Sequence, residues 1–132
     1  MVRHLYVHIP FCPKVCPYCS FYKEASDRNK TKAFLDAGIA ESEMEAEGLA
    51  PRTIFFGGGT PSLFSAKALG RLLEGVERRV PFAADIEITL EANPGTFEQA
   101  KFKDYRRLGI NRLSIGVQSF QAPKLIALGR IH

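Results

Sequence analysis

The chain of 132 residues contains three cysteines, and all of them fall in one run, Phe11-Cys12-Pro13-Lys14-Val15-Cys16-Pro17-Tyr18-Cys19, with C-x3-C-x2-C spacing. Three thiolates on one short loop are metal donors. A cubane iron–sulfur cluster takes four ligands, usually cysteines, so three leave one iron open to a substrate or cofactor. The rival is zinc, with His8, four residues before Cys12, as the remaining ligand. The spacing by itself leaves the two metals comparable. A disulfide framework is disfavoured by the odd count and by the lack of a secretory signal.

A second concentration of chemistry is the run Gly57-Gly58-Gly59-Thr60-Pro61. Such a turn exposes backbone N–H and C=O groups to a compact polar ligand, because no Cβ blocks close approach. The same glycines equally serve a tight strand-to-helix turn. The run lacks the Gly-Lys-Ser/Thr ending of a phosphate-binding loop, so a nucleotide phosphate is not indicated. Glu91-Ala92-Asn93-Pro94 and Gln118 complete the distinctive positions.

The elements that must position these residues are legible in the apolar pattern. Four short apolar runs, Leu5–Phe11, Thr53–Gly57, Asp85–Glu91 and Arg112–Gln118, alternate with longer helical patterns, the signature of a parallel α/β sheet. The first helix is expected over Asn29 to Gly48, with Ala33, Phe34, Ala37, Ala40 and Met44 on one side. The second carries Ser65 as N-cap and an apolar stripe of Leu69, Leu72, Leu73, Val76 and Val80, ending at Pro81. The third opens on Thr96 and Gln99 as a capping box and closes at Gly109. A fourth begins at Ala122.

Within the strands, Leu5, Val7 and Ile9 alternate with Tyr6 and His8. Ile86, Ile88 and Leu90 alternate with Glu87, Thr89 and Glu91, and Leu113, Ile115 and Val117 with Ser114, Gly116 and Gln118. Helices packed on the apolar face leave the polar face turned to a common interior, as in a barrel. A solvated antiparallel sheet has the same alternation, but the intervening helices argue against hairpins. Barrels carry their chemistry at the C-terminal ends of the strands, where the cysteine loop, the glycine turn, Glu91 and Gln118 all fall.

Composition narrows the classes further. With 45% hydrophobic residues the chain is one globular domain or part of one, and no segment approaches membrane-spanning length, so a cytoplasmic location is expected. The net charge is +4, and Lys101, Lys103, Arg106, Arg107 and Arg112 sit mostly on one helix as a solvated face. No stacking aromatics or nucleic-acid motif accompany them, so no nucleic-acid partner is expected.

The cysteine loop and the glycine turn together resemble the radical S-adenosylmethionine (SAM) superfamily. The runs Leu5-Tyr6-Val7-His8-Ile9-Pro10-Phe11-Cys12, Phe56-Gly57-Gly58-Gly59-Thr60-Pro61-Ser62, Glu91-Ala92-Asn93-Pro94, Asn111 to Phe120 and Leu128-Gly129-Arg130-Ile131-His132 look like the oxygen-independent coproporphyrinogen III oxidase family. The oxidases of that family carry a further cysteine two residues after the third cluster ligand, where this chain has Phe21. That departure resembles the haem-chaperone branch, HemW, whose members bind haem and deliver it to haem-requiring proteins.

The resemblance implies the N-terminal portion, residues 1–132, of a partial (β/α)6 TIM-like barrel, apparently cut short, with about four parallel strands. It implies a [4Fe–4S] cluster on Cys12, Cys16 and Cys19, with SAM chelated at the open iron and cleaved reductively to a 5′-deoxyadenosyl radical. Gly58, Gly59 and Thr60 would hydrogen-bond the methionine end of SAM, Glu91 its ammonium or ribose hydroxyls, Arg130 its carboxylate and Gln118 a polar edge of the nucleoside. Tyr6 and Tyr18 match positions beside the cluster and cofactor. Haem or porphyrin is the implied further ligand and haem-acceptor proteins the implied partners. Porphyrin oxidation is the alternative activity, so enzymatic turnover stays open, and a zinc-stabilised structural domain is a third reading. The last strand would leave an open edge through which the chain self-associates.

Overall fold

The computed structural model describes residues 2–12, 24–25, 28–94 and 99–129. Strand β1 (Val2–Ile9) leads through Pro10 into the two-residue β2 (Phe11–Cys12), which pairs in parallel with β3 (Glu24–Ala25). Helix α1 (Arg28–Met44), strand β4 (Leu49–Gly58), a 3-10 turn over Pro61–Leu63 and helix α2 (Ala66–Glu77) follow. Strand β5 (Glu87–Ala92), helix α3 (Gln99–Arg107), strand β6 (Arg112–Ile115) and helix α4 (Ala122–Ala127) complete the described chain. The main sheet is four-stranded in the order β1-β4-β5-β6, and every pairing in it is parallel. The expected α/β alternation is the architecture observed.

The register assigns the two faces. Tyr6 lies beside Phe55, Phe55 beside Thr89 and Thr89 beside Arg112; His8 lies beside Gly57 and Glu91 beside Ser114. The opposite face carries Ile9, Ile54, Phe56, Ile88 and Leu90, all buried against Leu69, Leu72, Leu73 and Val76 of α2. Burying a side chain of this size contributes about 1.5–3 kcal/mol, so this layer dominates the stability of the sheet. The N-cap of α2 is as expected: Ser65 Oγ accepts from the Ala68 N–H at 3.1 Å. Gly109 follows α3 with φ +103°, a conformation glycine adopts without a Cβ penalty. Thr96 lies outside the described residues.

Several boundaries and faces differ from expectation. α1 ends at Met44 rather than Gly48, and the stripe of Ala33, Phe34, Ala37, Ala40 and Met44 is not its buried face: Leu35 is buried, Phe34 and Ile39 are partly buried, and Met44 is 81% exposed. Alanines contribute little transfer energy, so the larger Leu35, Phe34 and Ile39 set the rotation of the helix. β4 begins four residues early and β5 two residues late. β6 stops at Ile115, so Gln118 lies beyond it, exposed and outside any strand. The apolar side of this last strand also stays open, with Leu113, Ile115 and Val117 37%, 44% and 42% exposed and Phe120 97% exposed.

Candidate functional site

Cys12 is positioned by packing on one side and by main-chain pairing on the other. Its neighbour Phe11 meets Phe34 of α1 edge-on at 5.8 Å between ring centroids and stacks on Phe64 at 6.1 Å, so three rings tie β2 to α1 and to the turn after β4. On the other side, the Gly59 N–H donates to the Ile9 carbonyl and the Thr60 N–H to the Phe11 carbonyl, each at 2.7 Å. The β1–β4 pairing thus continues past the strand ends and brings the glycine turn against the cysteine segment.

Close approach is what the glycines supply here. A Cβ on Gly59 would stand 2.5 Å from the Phe11 carbonyl oxygen, and one on Gly58, at φ +113°, would stand 2.8 Å from the Ile9 carbonyl oxygen. The Gly58 N–H in turn donates to Glu91 Oε2 at 3.3 Å. Three successive N–H donors of the turn are therefore engaged within the protein. Thr60 is 1% exposed; its Oγ1 accepts from Asn93 Nδ2 at 3.1 Å and donates to Cys12 Sγ at 3.8 Å.

Glu91 lies one residue before the end of β5 on the polar face, half-buried. Burial raises its carboxyl above the ordinary carboxylate range, opposed by the Gly58 N–H and by His8. Tyr6 and His8 occupy the same face of β1. The Tyr6 hydroxyl and His8 Nδ1 share a hydrogen bond of 3.2 Å, and the Tyr6 ring stacks on Phe55 at 6.0 Å. Desolvation, and then the charge of Glu91, raise the Tyr6 phenol above its usual value. Gln118 reaches the same rim: a Cβ on Gly116 would lie 3.1 Å from Asn93 Oδ1 and 3.9 Å from Gln118 Nε2.

Tyr6, Cys12, Gly58, Gly59, Thr60 and Glu91 are thus gathered at the C-terminal ends of neighbouring parallel strands, with Gln118 on the rim beside Asn93. Cys16, Cys19, Tyr18 and Arg130 lie outside the described residues, as does Phe21. Among the described residues no three His, Cys, Asp or Glu side chains form a metal-binding group. Cys12 itself suits a cluster ligand: a thiol 9% exposed and facing a hydroxyl donor, on a segment that the glycine turn approaches closely through its main chain.

Two positioning residues carried no assigned role in the sequence. Asn93 orients Thr60, and its sequence signal is its place in the run Glu91-Ala92-Asn93-Pro94, two residues after the glutamate. Tyr105 of α3 is 1% exposed, and its hydroxyl reaches the carbonyls of Ser62 at 2.9 Å and Phe64 at 2.7 Å, clamping the turn that follows Thr60. Burial pushes its phenol up to about 12. An aromatic residue in the otherwise charged run Lys103-Asp104-Tyr105-Arg106-Arg107 is the signal that marks it.

The sequence model of the radical SAM superfamily matches residues 6–132. The chain is 51% identical over 132 residues to a protein of Escherichia coli K12 described as heme chaperone HemW, covering 97% of this chain and 35% of that protein. It is 44% identical over 136 residues to heme chaperone HemW of Haemophilus influenzae, covering 97% and 36% respectively. The chain therefore spans about a third of the length of the curated relatives it matches. Its fold superposes with a TM-score of 0.90 on the coproporphyrinogen III oxidase HemN of Escherichia coli, described as a radical SAM enzyme, at 33% identity over 98% of this chain and 31% of that one.

Proposed function

Because the chain belongs to the radical SAM superfamily, we propose that it supplies the cluster loop and much of the SAM site of a HemW-type protein, which binds haem and delivers it to haem-requiring acceptor proteins. The observation that carries this reading is the meeting of Cys12, the glycine turn and Glu91 at the ends of three adjacent strand segments. Cys12, Cys16 and Cys19 would hold a [4Fe–4S] cluster. The cluster and SAM, when bound, supply one-electron reductive chemistry.

The chain's own groups divide the binding work. Since the N–H donors of Gly58, Gly59 and Thr60 are engaged, the turn meets a ligand through its carbonyl oxygens, which accept from an ammonium such as that of SAM. The buried Thr60 side chain acts on Cys12 rather than on SAM. Glu91 adds a second acceptor for the ammonium or the ribose hydroxyls. The stacked Tyr6 and Phe55 rings give the nucleoside an apolar wall, Gln118 a polar edge, Arg130 a carboxylate partner and Tyr18 a neighbour of the cluster.

The haem-chaperone reading is supported by the 51% identity to HemW and by Phe21 in place of a further cysteine. Porphyrin oxidation is the second reading, supported by the close overlap with HemN. No helix among the described residues is long and apolar enough to cross a membrane, and we place the work of the protein in the cytoplasm. Haem titration of the anaerobically reconstituted intact protein tests the reading. A saturable haem spectrum without porphyrin turnover is expected; protoporphyrinogen formed with SAM present would transfer the assignment to the oxidase, and zinc without iron and sulfide would overturn the cluster.

A further inference from the structure

The Thr60 hydroxyl stands between two groups of unlike demand. Asn93 Nδ2 carries only donors, and at 3.1 Å it gives one to Thr60 Oγ1. An oxygen that accepts on one side keeps its own proton for the other, where Cys12 Sγ lies 3.8 Å away. Thr60 is 1% and Cys12 9% exposed, so water competes poorly for that proton. The three residues come from the ends of three different strands: Cys12 closes β2, Thr60 follows β4 and Asn93 follows β5.

We propose that Asn93 and Thr60 form a positioning relay that aims one O–H at the Cys12 sulfur and so raises the reduction potential of the cluster held there. This rests on the reading of Cys12 as a cluster ligand. A hydrogen bond to a ligand sulfur draws electron density from it and favours the more negative, reduced cluster over the oxidised one. In a desolvated site the effect is larger than in water. Asn93 contributes by orientation, since without its donor the hydroxyl is free to rotate its proton away from the sulfur.

The test is a potentiometric titration of the anaerobically reconstituted intact protein, followed by electron paramagnetic resonance after iron and sulfide have been counted. Thr60→Val keeps the shape and deletes the donor. Its midpoint is expected to be more negative, with a fall on the order of three- to tenfold in the equilibrium constant for reduction, the scale of one such hydrogen bond. Thr60→Ser is expected to keep the wild-type midpoint. Asn93→Ala is expected to lower the midpoint in the wild-type background and to have no effect in the Thr60→Val background, because the two act through one proton. A fully loaded Thr60→Val protein with an unchanged midpoint overturns the relay alone, as does an Asn93→Ala shift that persists in the Thr60→Val background. Should Thr60→Val fail to hold iron, Asn93→Ala by itself decides, an unchanged midpoint overturning the relay. A wild-type protein that takes up no cluster overturns the cluster reading and the relay together.

Discussion

Replacing Tyr105 by phenylalanine removes one oxygen from a packed interior and leaves the ring in place. No cavity of consequence opens, so the effect isolates the clamp on the carbonyls of Ser62 and Phe64. A net hydrogen bond contributes about 1 kcal/mol, and a buried carbonyl left without its partner costs about 1–3 kcal/mol; Tyr105→Phe is therefore expected to lower the unfolding free energy by about 1–3 kcal/mol at neutral pH. The alkaline limb gives an independent measure. The phenol titrates near 10 when unfolded and at about 12 when folded, so the folded state holds its proton more tightly. Its contribution is complete below pH 10 and is lost as pH rises towards 12, a change on the order of 2–3 kcal/mol for a group so fully buried. Urea unfolding followed by circular dichroism at pH 7 and at steps from pH 9.5 upward measures both. The stability gap between wild type and variant is expected to narrow across the alkaline range. Equal stability at pH 7, or parallel alkaline limbs in the two proteins, would refute the clamp.

Three further outcomes test the placement of the site. The raised Glu91 carboxyl makes the folded state bind its proton more tightly, so its contribution is complete below the ordinary carboxylate range and is lost as pH rises through the raised value; Glu91→Gln is expected to flatten that limb in pH-dependent thermal unfolding and to weaken SAM binding measured by calorimetry. Gly59→Ala would place a Cβ 2.5 Å from a backbone oxygen, and a loss of about 3 kcal/mol or more, with poor iron uptake, is expected from denaturation and metal analysis. Leu35→Ala is expected to cost about 2–5 kcal/mol in chemical denaturation, whereas Met44→Ala stays within about 0.5 kcal/mol, which checks the rotation of α1.

What was legible beforehand was local. The alternation in β1 and β5, the stripe of α2, the Ser65 cap and the glycine after α3 each depend on residues within a few positions of one another, and their spacing alone specifies them. The α1 face is not legible locally, because its alanines share the helical period with the residues beside them, and burial follows side-chain size rather than period. The alternation in β6 marks one side as apolar, but whether that side is covered depends on what packs there, and Leu113, Ile115 and Val117 remain partly open.

The site divides along the same line. Residue types and spacing in the sequence marked the cysteine loop as a set of metal donors, the glycine turn after the second long strand and the acidic strand end, because those properties belong to short runs. Only the tertiary structure decided that Thr60 faces Cys12 across 48 positions, that Asn93 reaches Thr60 across 33, and that Tyr105 clamps a turn more than 40 residues away. Those contacts follow from the register of parallel strands joined by helices. That register is set by the summed packing of the whole sheet, and no local run contains it.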